Sequence, residues 1–450
     1  MSFPTPFYLL DLDRAAEKFR ELKEQAGPGR GLCFAMKCNP GLIRTALPHV
    51  DRLEVCSFGE YRICRDQGIP ADKLLISGVV KKEQELLQIL DECGGRCLYT
   101  VESEQQYRIL RDWAARRQTK VQLFLRLSSG NQFGMDAEQV DTLLQDAGQY
   151  PFLSVGGIHY YSGTQKRDPQ KIIEELTMLD SYLRHVEEDL GVCLRELEYG
   201  PGIPAPCFLN QKQPPQAEYM QAVRSALDHF IWPGHVTLEI GRLAASSAGF
   251  YVTEVQDVKM SGETIWCLVD GGIHQLHYDG QIRTMYQPRV QLLHRDGRLT
   301  ELTAVQKDNS EAGRQESAQP QEQHLRDMLG QLLHRQIRSE QGHGRPQERE
   351  EAQARPARQL TVCGSLCTVN DLLLGCRTRE EIRPGDILIF DDTGAYSMME
   401  GMALFLSHEI PAAAGYSKAE GVRILRRRRE TYAFWEKSSD KYEEHSKNRR

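Results

Sequence analysis

Along the first 245 residues, groups able to do chemistry recur at the ends of short apolar runs. They are Lys37, Glu54 to Ser57, Arg126, His159 to Thr164, Gly200 to Gly202, and Glu239 with Arg242. A lysine ending a buried strand carries a desolvation cost; its pKa falls readily there, which suits Schiff-base chemistry. Glycine turns expose backbone N–H groups that can cradle a phosphate. A carboxylate below an aromatic cofactor ring can hold its pyridine nitrogen protonated. No H-x-H or H-E-x-x-H cluster occurs, although isolated histidines stay open as ligands. The set describes a pyridoxal phosphate site better than a metal site.

Such groups must be positioned, and the pattern shows by what. The apolar runs are Leu32–Met36, Leu53–Cys56, Leu74–Ser77, Cys97–Val101, Val121–Leu127, Val155–Tyr161, Leu194–Tyr199 and Thr237–Ile240. Between them lie stretches such as Glu83 to Leu90 and Pro169 to Val186, with apolar residues recurring at three and four. Strand alternating with helix means a parallel sheet. Eight such units in roughly 210 residues match a (β/α)8 TIM-type barrel, whose active sites sit at the C-terminal strand ends. The open doubly wound alternative needs fewer units and a Gly-rich first turn, which is absent.

After Arg242 the pattern changes. Tyr251–Val258, Thr264–Val269, Val290–Leu293, Leu360–Cys363 and Asp386–Phe390 are β-type runs separated by Gly, Asp and Pro turns. They predict an antiparallel β domain over 246–425, with an N-terminal strand within 1–30 pairing to it and the barrel over 31–245. From about 306 to 358 the chain is dense in Gln, Glu, Arg and His. That composition buries too little apolar area to offset ordering, so it reads as a surface insertion, with a short amphipathic helix near Leu325 to Ile337. Residues 426–450 read as a charged, solvated tail, because acids interrupt its basic runs.

A chain of 450 residues, 40% hydrophobic and 26% charged, is a folded globular protein of more than one domain. The net charge of −7 gives no general affinity for nucleic acid. No run reaches the ~18 apolar residues of a membrane span, and the first residues lack a secretory pattern. Twelve scattered cysteines without a C-x-x-C pair suggest reduced thiols in a cytoplasm.

Six motifs in order resemble the fold-type III pyridoxal phosphate decarboxylases, the family of ornithine, arginine and diaminopimelate decarboxylases. They run from Ala35-Met-Lys-Cys-Asn39 through Gly157-Ile-His-Tyr-Tyr-Ser-Gly-Thr-Gln165, Gly200-Pro-Gly202, Glu239-Ile-Gly-Arg242 and Cys363-Gly-Ser-Leu-Cys367 with Asp371 to Gly394-Ala-Tyr396. The resemblance covers Pro4 to about Thr431 apart from the insertion. It implies that Lys37 carries the cofactor and that Glu239 faces its ring nitrogen. Gly163, Thr164, Gly202, Gly241, Arg242 and Tyr396 meet the phosphate end, and Tyr161 stacks in place of the family's histidine. Pro201 removes one N–H that the family pattern would offer. Cys367 is implied as the proton donor after carbon dioxide leaves, supplied by the opposite subunit of a homodimer. His159 stands as a supporting group. Arg126 and Glu54 match by position and read equally well as polar residues of the barrel interior, and Cys363 as a buried strand cysteine.

Thr368 follows Cys367 where the diamine-producing branch carries an acid. A threonine cannot pair with a buried ammonium. With Gln132-Phe-Gly-Met135 and Tyr161, this resembles the branch serving siderophore and antibiotic pathways, some of whose members act on conjugated or carrier-bound amino acids. Asp270, Arg283 and Tyr286 fall where the family shapes its substrate pocket. The alternatives are a decarboxylase of free diaminopimelate or ornithine type, a racemase, or a non-catalytic regulatory homologue. Retention of Lys37 and Cys367 speaks against the last, and Glu239 facing the ring nitrogen against a racemase.

Overall fold

The computed structural model describes residues 3–278, 286–303, 315–333 and 356–435. It divides into two compact units. One comprises Leu12–Pro206 and Lys212–Ser247; the other comprises Met1–Asp11, Cys207–Gln211 and Ala248–Arg450. The opening strand β1 (Phe7–Asp11) belongs to the second unit, and the helix Leu12–Ala26 that follows it belongs to the first.

The first unit is a closed barrel of eight parallel strands. These are β2 (Gly31–Ala35), β3 (Arg52–Val55), β4 (Leu74–Ile76), β5 (Leu98–Val101), β6 (Val121–Arg126), β7 (Leu153–Tyr161), β8 (Glu196–Gly200) and β9 (His235–Ile240). The barrel closes by pairing β2 with β9, Leu32 opposite Leu238. Near-continuous burial of each strand explains why apolar runs, rather than alternation, marked them. Helix starts follow local chemistry. Ser57 and Ser103 accept hydrogen bonds from the backbone N–H groups of Glu60 and Gln106, and Asp136 forms a capping box with Gln139. Helix Gln170–Glu188 buries Ile172, Leu176, Leu179, Leu183 and Val186, one stripe at helical spacing. Inside the barrel Arg52 pairs with Glu196 at 2.5 Å and Glu198 at 3.2 Å.

The second unit is a mostly antiparallel ten-stranded sheet. It contains β1 with β10 (Gly249–Ser261), β11 (Thr264–Val269), β12 (Val290–Leu293), β13 (Leu299–Glu301), β14 (Arg358–Cys363), β15 (Leu372–Thr378), β16 (Ile387–Phe390), β17 (Ala412–Ser417) and β18 (Gly421–Arg426). β1 lies antiparallel to β10 and parallel to β17, with Phe7 opposite both Val252 and Ala412. β11 and β14 also run parallel. The pattern leaves β13, β15, β17 and β18 unmarked. β13 has three residues, and β17 is alanine-rich, a poor intrinsic strand former that β1 and β18 hold from either side.

The Gln-rich segment differs from expectation. A helix spans Gln315–Leu333, starting ten residues before the expected one, and it buries Leu325, Met328, Leu329 and Leu332 against Phe7, Leu9, Phe250 and Ile389 of the sheet. The four apolar residues are few, but they share one face, and burying each contributes ~1.5–3 kcal/mol. The remainder of 306–358 up to residue 355, and the tail from 436, lie outside the described residues.

Candidate active site

At the C-terminal end of β2, Lys37 sits in the single turn Met36–Cys38. Pairing of Ala35 with Glu54 brings the next strand's carboxylate alongside. Lys37 Nζ donates to Glu54 Oε2 at 2.8 Å and lies 3.5 Å from Cys56 Sγ, whose thiol donates to Glu54 Oε1 at 3.1 Å. Burial alone would lower the Lys37 ammonium. Glu54, Cys56 and Glu239 outweigh it and hold the pKa well above its ordinary value. The sequence expectation of a lowered lysine pKa is therefore corrected: the strand end desolvates the amine, but three acidic neighbours compensate it. Glu54 is buried against Lys37, not an isolated interior polar. Cys56 lay within the strand-end stretch, but nothing about an isolated cysteine marked it as a neighbour of Lys37.

His159 and Glu239, eighty residues apart, meet inside the barrel. His159 Nε2 and Glu239 Oε2 are 3.1 Å apart and both side chains are buried. Burial and the nearby Arg126 push the imidazole down to about 3, so it is neutral and its Nε2–H donates to the carboxylate. His159 Nδ1 has no hydrogen-bond partner among the described residues. Arg126 forms a buried pair with Glu102 at 3.1 Å and lies over the Phe133 ring at 4.8 Å. That makes it a support of the loop carrying Gln132 and Gly134.

Beside them two turns touch. Gly202, at φ +64°, comes so close to Gly163 that a Cβ on it would lie 2.0 Å from the Gly163 carbonyl oxygen. A Cβ on Gly200 would strike the Tyr161 ring at 2.5 Å. The Tyr161 ring thus lies against the end of β8. Gly241 precedes the short helix Arg242–Ala245, in which Arg242 is buried.

In the β unit, the loop 364–371 wraps around the carboxylate of Asp371. That carboxylate accepts the Ile273 and Leu366 N–H groups at 2.8 and 2.7 Å. The Gly364 N–H reaches the Asp371 carbonyl, and a side chain at Gly364 would collide with the carboxylate. This rigid loop leaves Cys367 exposed and Thr368 half-buried. Cys363 is half-buried rather than buried, because the strand bulges there. Tyr396 adopts a left-handed φ of +65°. Its carbonyl accepts the N–H groups of Met399 and Glu400. Asp270 accepts from Thr253 Oγ1 and the Glu254 N–H, an arrangement that ties β10 to β11. Tyr286 stacks on Phe208 at 4.9 Å. Arg283 lies outside the described residues.

The barrel end fits pyridoxal phosphate: an amine for its carbonyl carbon, a histidine-anchored carboxylate for its ring nitrogen, and a glycine cradle kept clear of side chains for its phosphate. Fold and site together define a barrel of the alanine racemase type. The family described as alanine racemase, N-terminal domain, matches residues 10–194. The L-glutamyl-[BtrI acyl-carrier protein] decarboxylase of Niallia circulans is 25% identical over 429 residues, 91% of this chain and 88% of that one. The diaminopimelate decarboxylase of Aquifex aeolicus is 25% identical over 292 residues, 61% of this chain and 68% of that one. The crystal structure of Helicobacter pylori diaminopimelate decarboxylase complexed with L-lysine shares the fold, with a TM-score of 0.69 at 20% identity and 96% of each chain covered. Over most of its length the chain is similar to fold-type III pyridoxal phosphate-dependent decarboxylases. It is an amino-acid decarboxylase that uses pyridoxal phosphate.

Proposed function

We propose that the protein decarboxylates an amino acid whose distal end is acylated, as a carrier-protein thioester or small conjugate, in a specialised pathway of the siderophore or antibiotic kind. The observation that carries this reading is Thr368, half-buried beside Cys367 on a rigid loop. It has no charge to offer a free distal ammonium. The relative whose name specifies a carrier-bound glutamyl group supports it, because that likeness extends over 91% of this chain.

Bound, pyridoxal phosphate supplies the electron sink for loss of carbon dioxide. The chain's own residues do the rest. Lys37 would hold the cofactor through its amine, and Glu54, 2.8 Å away, would accept a hydrogen bond from that amine when it is free. Glu239, anchored by His159, would be the carboxylate that pairs with the cofactor's ring nitrogen. Cys367 Sγ–H delivers a proton to the α carbon as general acid. We assign that thiol to the opposite subunit of a homodimer, in keeping with its exposure. A reducing cytoplasm suits twelve scattered cysteines without a C-x-x-C pair. Among the described residues no helix is long and apolar enough to cross a membrane.

An unpaired buried ammonium costs several kcal/mol. Free ornithine and lysine are therefore expected to turn over at least ~10³-fold less efficiently than matched acylated substrates, measured as carbon dioxide release. Thr368→Asp shifts preference toward the free diamino acids even as total activity drops. Equal rates for free and acylated substrates in the wild type would overturn the acylated assignment and favour the diamine one.

A further inference from the structure

Behind the glycine cradle lies a half-buried carboxylate that no sequence motif marks. Glu175 sits on the helix Gln170–Glu188. Its Oε1 accepts the Ser162 hydroxyl at 2.6 Å; its Oε2 accepts Lys166 Nζ at 2.5 Å and the Tyr199 hydroxyl at 2.7 Å. Ser162 immediately precedes Gly163, and Tyr199 is the penultimate residue of β8, just before the turn containing Gly202. Lys166 closes the loop between them. Its N–H reaches the Gly202 carbonyl at 3.1 Å, and its Cε lies 3.3 Å from where a Gly202 Cβ would be. The side chains of Lys166 and Glu175 are 7% and 16% exposed.

One carboxylate therefore gathers donors from both segments that form the cradle. The glycines bring no side chains to fix the separation of the two turns, and glycine is the residue with most backbone freedom to lose. Bonds from neighbouring residues hold them in register: the Lys166 N–H to the Gly202 carbonyl, the Gln165 side chain to the Ala205 backbone and, from behind, the donors gathered on Glu175. A carboxylate behind a phosphate would by itself repel it; Lys166 neutralises that charge in place, so Glu175 holds the turns without setting a bare anion behind the cradle. We infer that Glu175 is the positioning residue of the phosphate cradle, clamping the Ser162–Gly163 and Tyr199–Gly202 segments so that their N–H groups converge on the cofactor's phosphate. The inference rests on the pyridoxal phosphate reading and adds a residue to it.

The test compares equilibrium binding of pyridoxal phosphate and of pyridoxal, which lacks the phosphate, to the full-length cofactor-free protein by dialysis and fluorescence. Glu175→Ala should weaken pyridoxal phosphate about a hundredfold, the worth of a few charge-assisted hydrogen bonds, while pyridoxal binding changes less than about threefold. Should that variant fail to fold by circular dichroism, Ser162→Ala and Tyr199→Phe each remove one donor and should give about a fivefold loss for pyridoxal phosphate alone. Equal losses for both ligands would mean general damage to the barrel and overturn the clamp. So would unchanged or tighter binding of pyridoxal phosphate, which would make Glu175 merely an opposing charge. If the wild type itself binds the two ligands equally, the cofactor reading fails first, a distinguishable outcome.

Discussion

The strand ends of the barrel and the cysteine loop of the β unit are both rigid, yet they use their polar groups in opposite ways. At the barrel end, functional groups satisfy one another: Lys37 with Glu54 and Cys56, His159 with Glu239, and Glu175 with three donors. In the cysteine loop the satisfied group is Asp371, a scaffold, while Cys367 and Val369 face outward, the latter 85% exposed. The first region is preorganised for a ligand it holds itself. The second leaves Cys367 and Val369 exposed, as the opposite-subunit role proposed for Cys367 requires. The contrast suits a composite site in a homodimer, where one chain holds the cofactor and another delivers the proton.

The largest expected effect tests that division directly. Lys37→Ala abolishes the visible absorbance expected near ~420 nm from a lysine-bound cofactor, and lowers activity by a factor on the order of 10³ or more. Cys367→Ala keeps the absorbance and loses most turnover. Mixing the two variants under demonstrated subunit exchange restores about a quarter of wild-type activity, because half the dimers are mixed and each has one intact composite site. No recovery would place both residues' work within one chain and erase the contrast.

A smaller effect sharpens the barrel side. The folded His159 pKa of about 3 lies below the ordinary histidine value near ~6.5. Its contribution to stability is therefore present above pH ~6.5 and is lost as pH falls from there toward 3, since the unfolded chain binds a proton that the buried imidazole refuses. In urea melts the barrel should lose up to about 1.4 kcal/mol per pH unit over that window from this residue. His159→Gln should remove that part of the slope. An unchanged slope would mean that His159 is not held neutral.

The smallest concerns the β unit. Leu329, fully buried, packs the helix Gln315–Leu333 on the sheet. Leu329→Ala should cost ~2–5 kcal/mol in a denaturant melt while leaving pyridoxal phosphate affinity unchanged. A cost within ~0.5 kcal/mol, the range of surface substitutions, would return that helix to the surface insertion its composition suggested.

Eight apolar runs with intervening helical stripes were enough to define the barrel, because a parallel strand buried on both faces announces itself residue by residue. They placed Lys37, Gly202 and Glu239 at strand ends for the same reason: a strand's direction and its last apolar residue are local properties. Tertiary structure decided what those residues meet. The Glu54 and Cys56 contacts that raise the lysine follow from strand register, and the His159–Glu239 pair from closure of β7, β8 and β9 into one wall. Glu175 is one of several acids on a helix whose spacing says nothing of a loop 13 residues earlier and a strand end 24 residues later. The helix Gln315–Leu333 defeated composition because four apolar residues on one face suffice once a sheet is there to receive them. Sequence carries period and direction, which set the elements. Distances between side chains on different elements arise when the barrel and sheet close, and those distances set the charge of the lysine, the tautomer of the histidine and the register of the cradle.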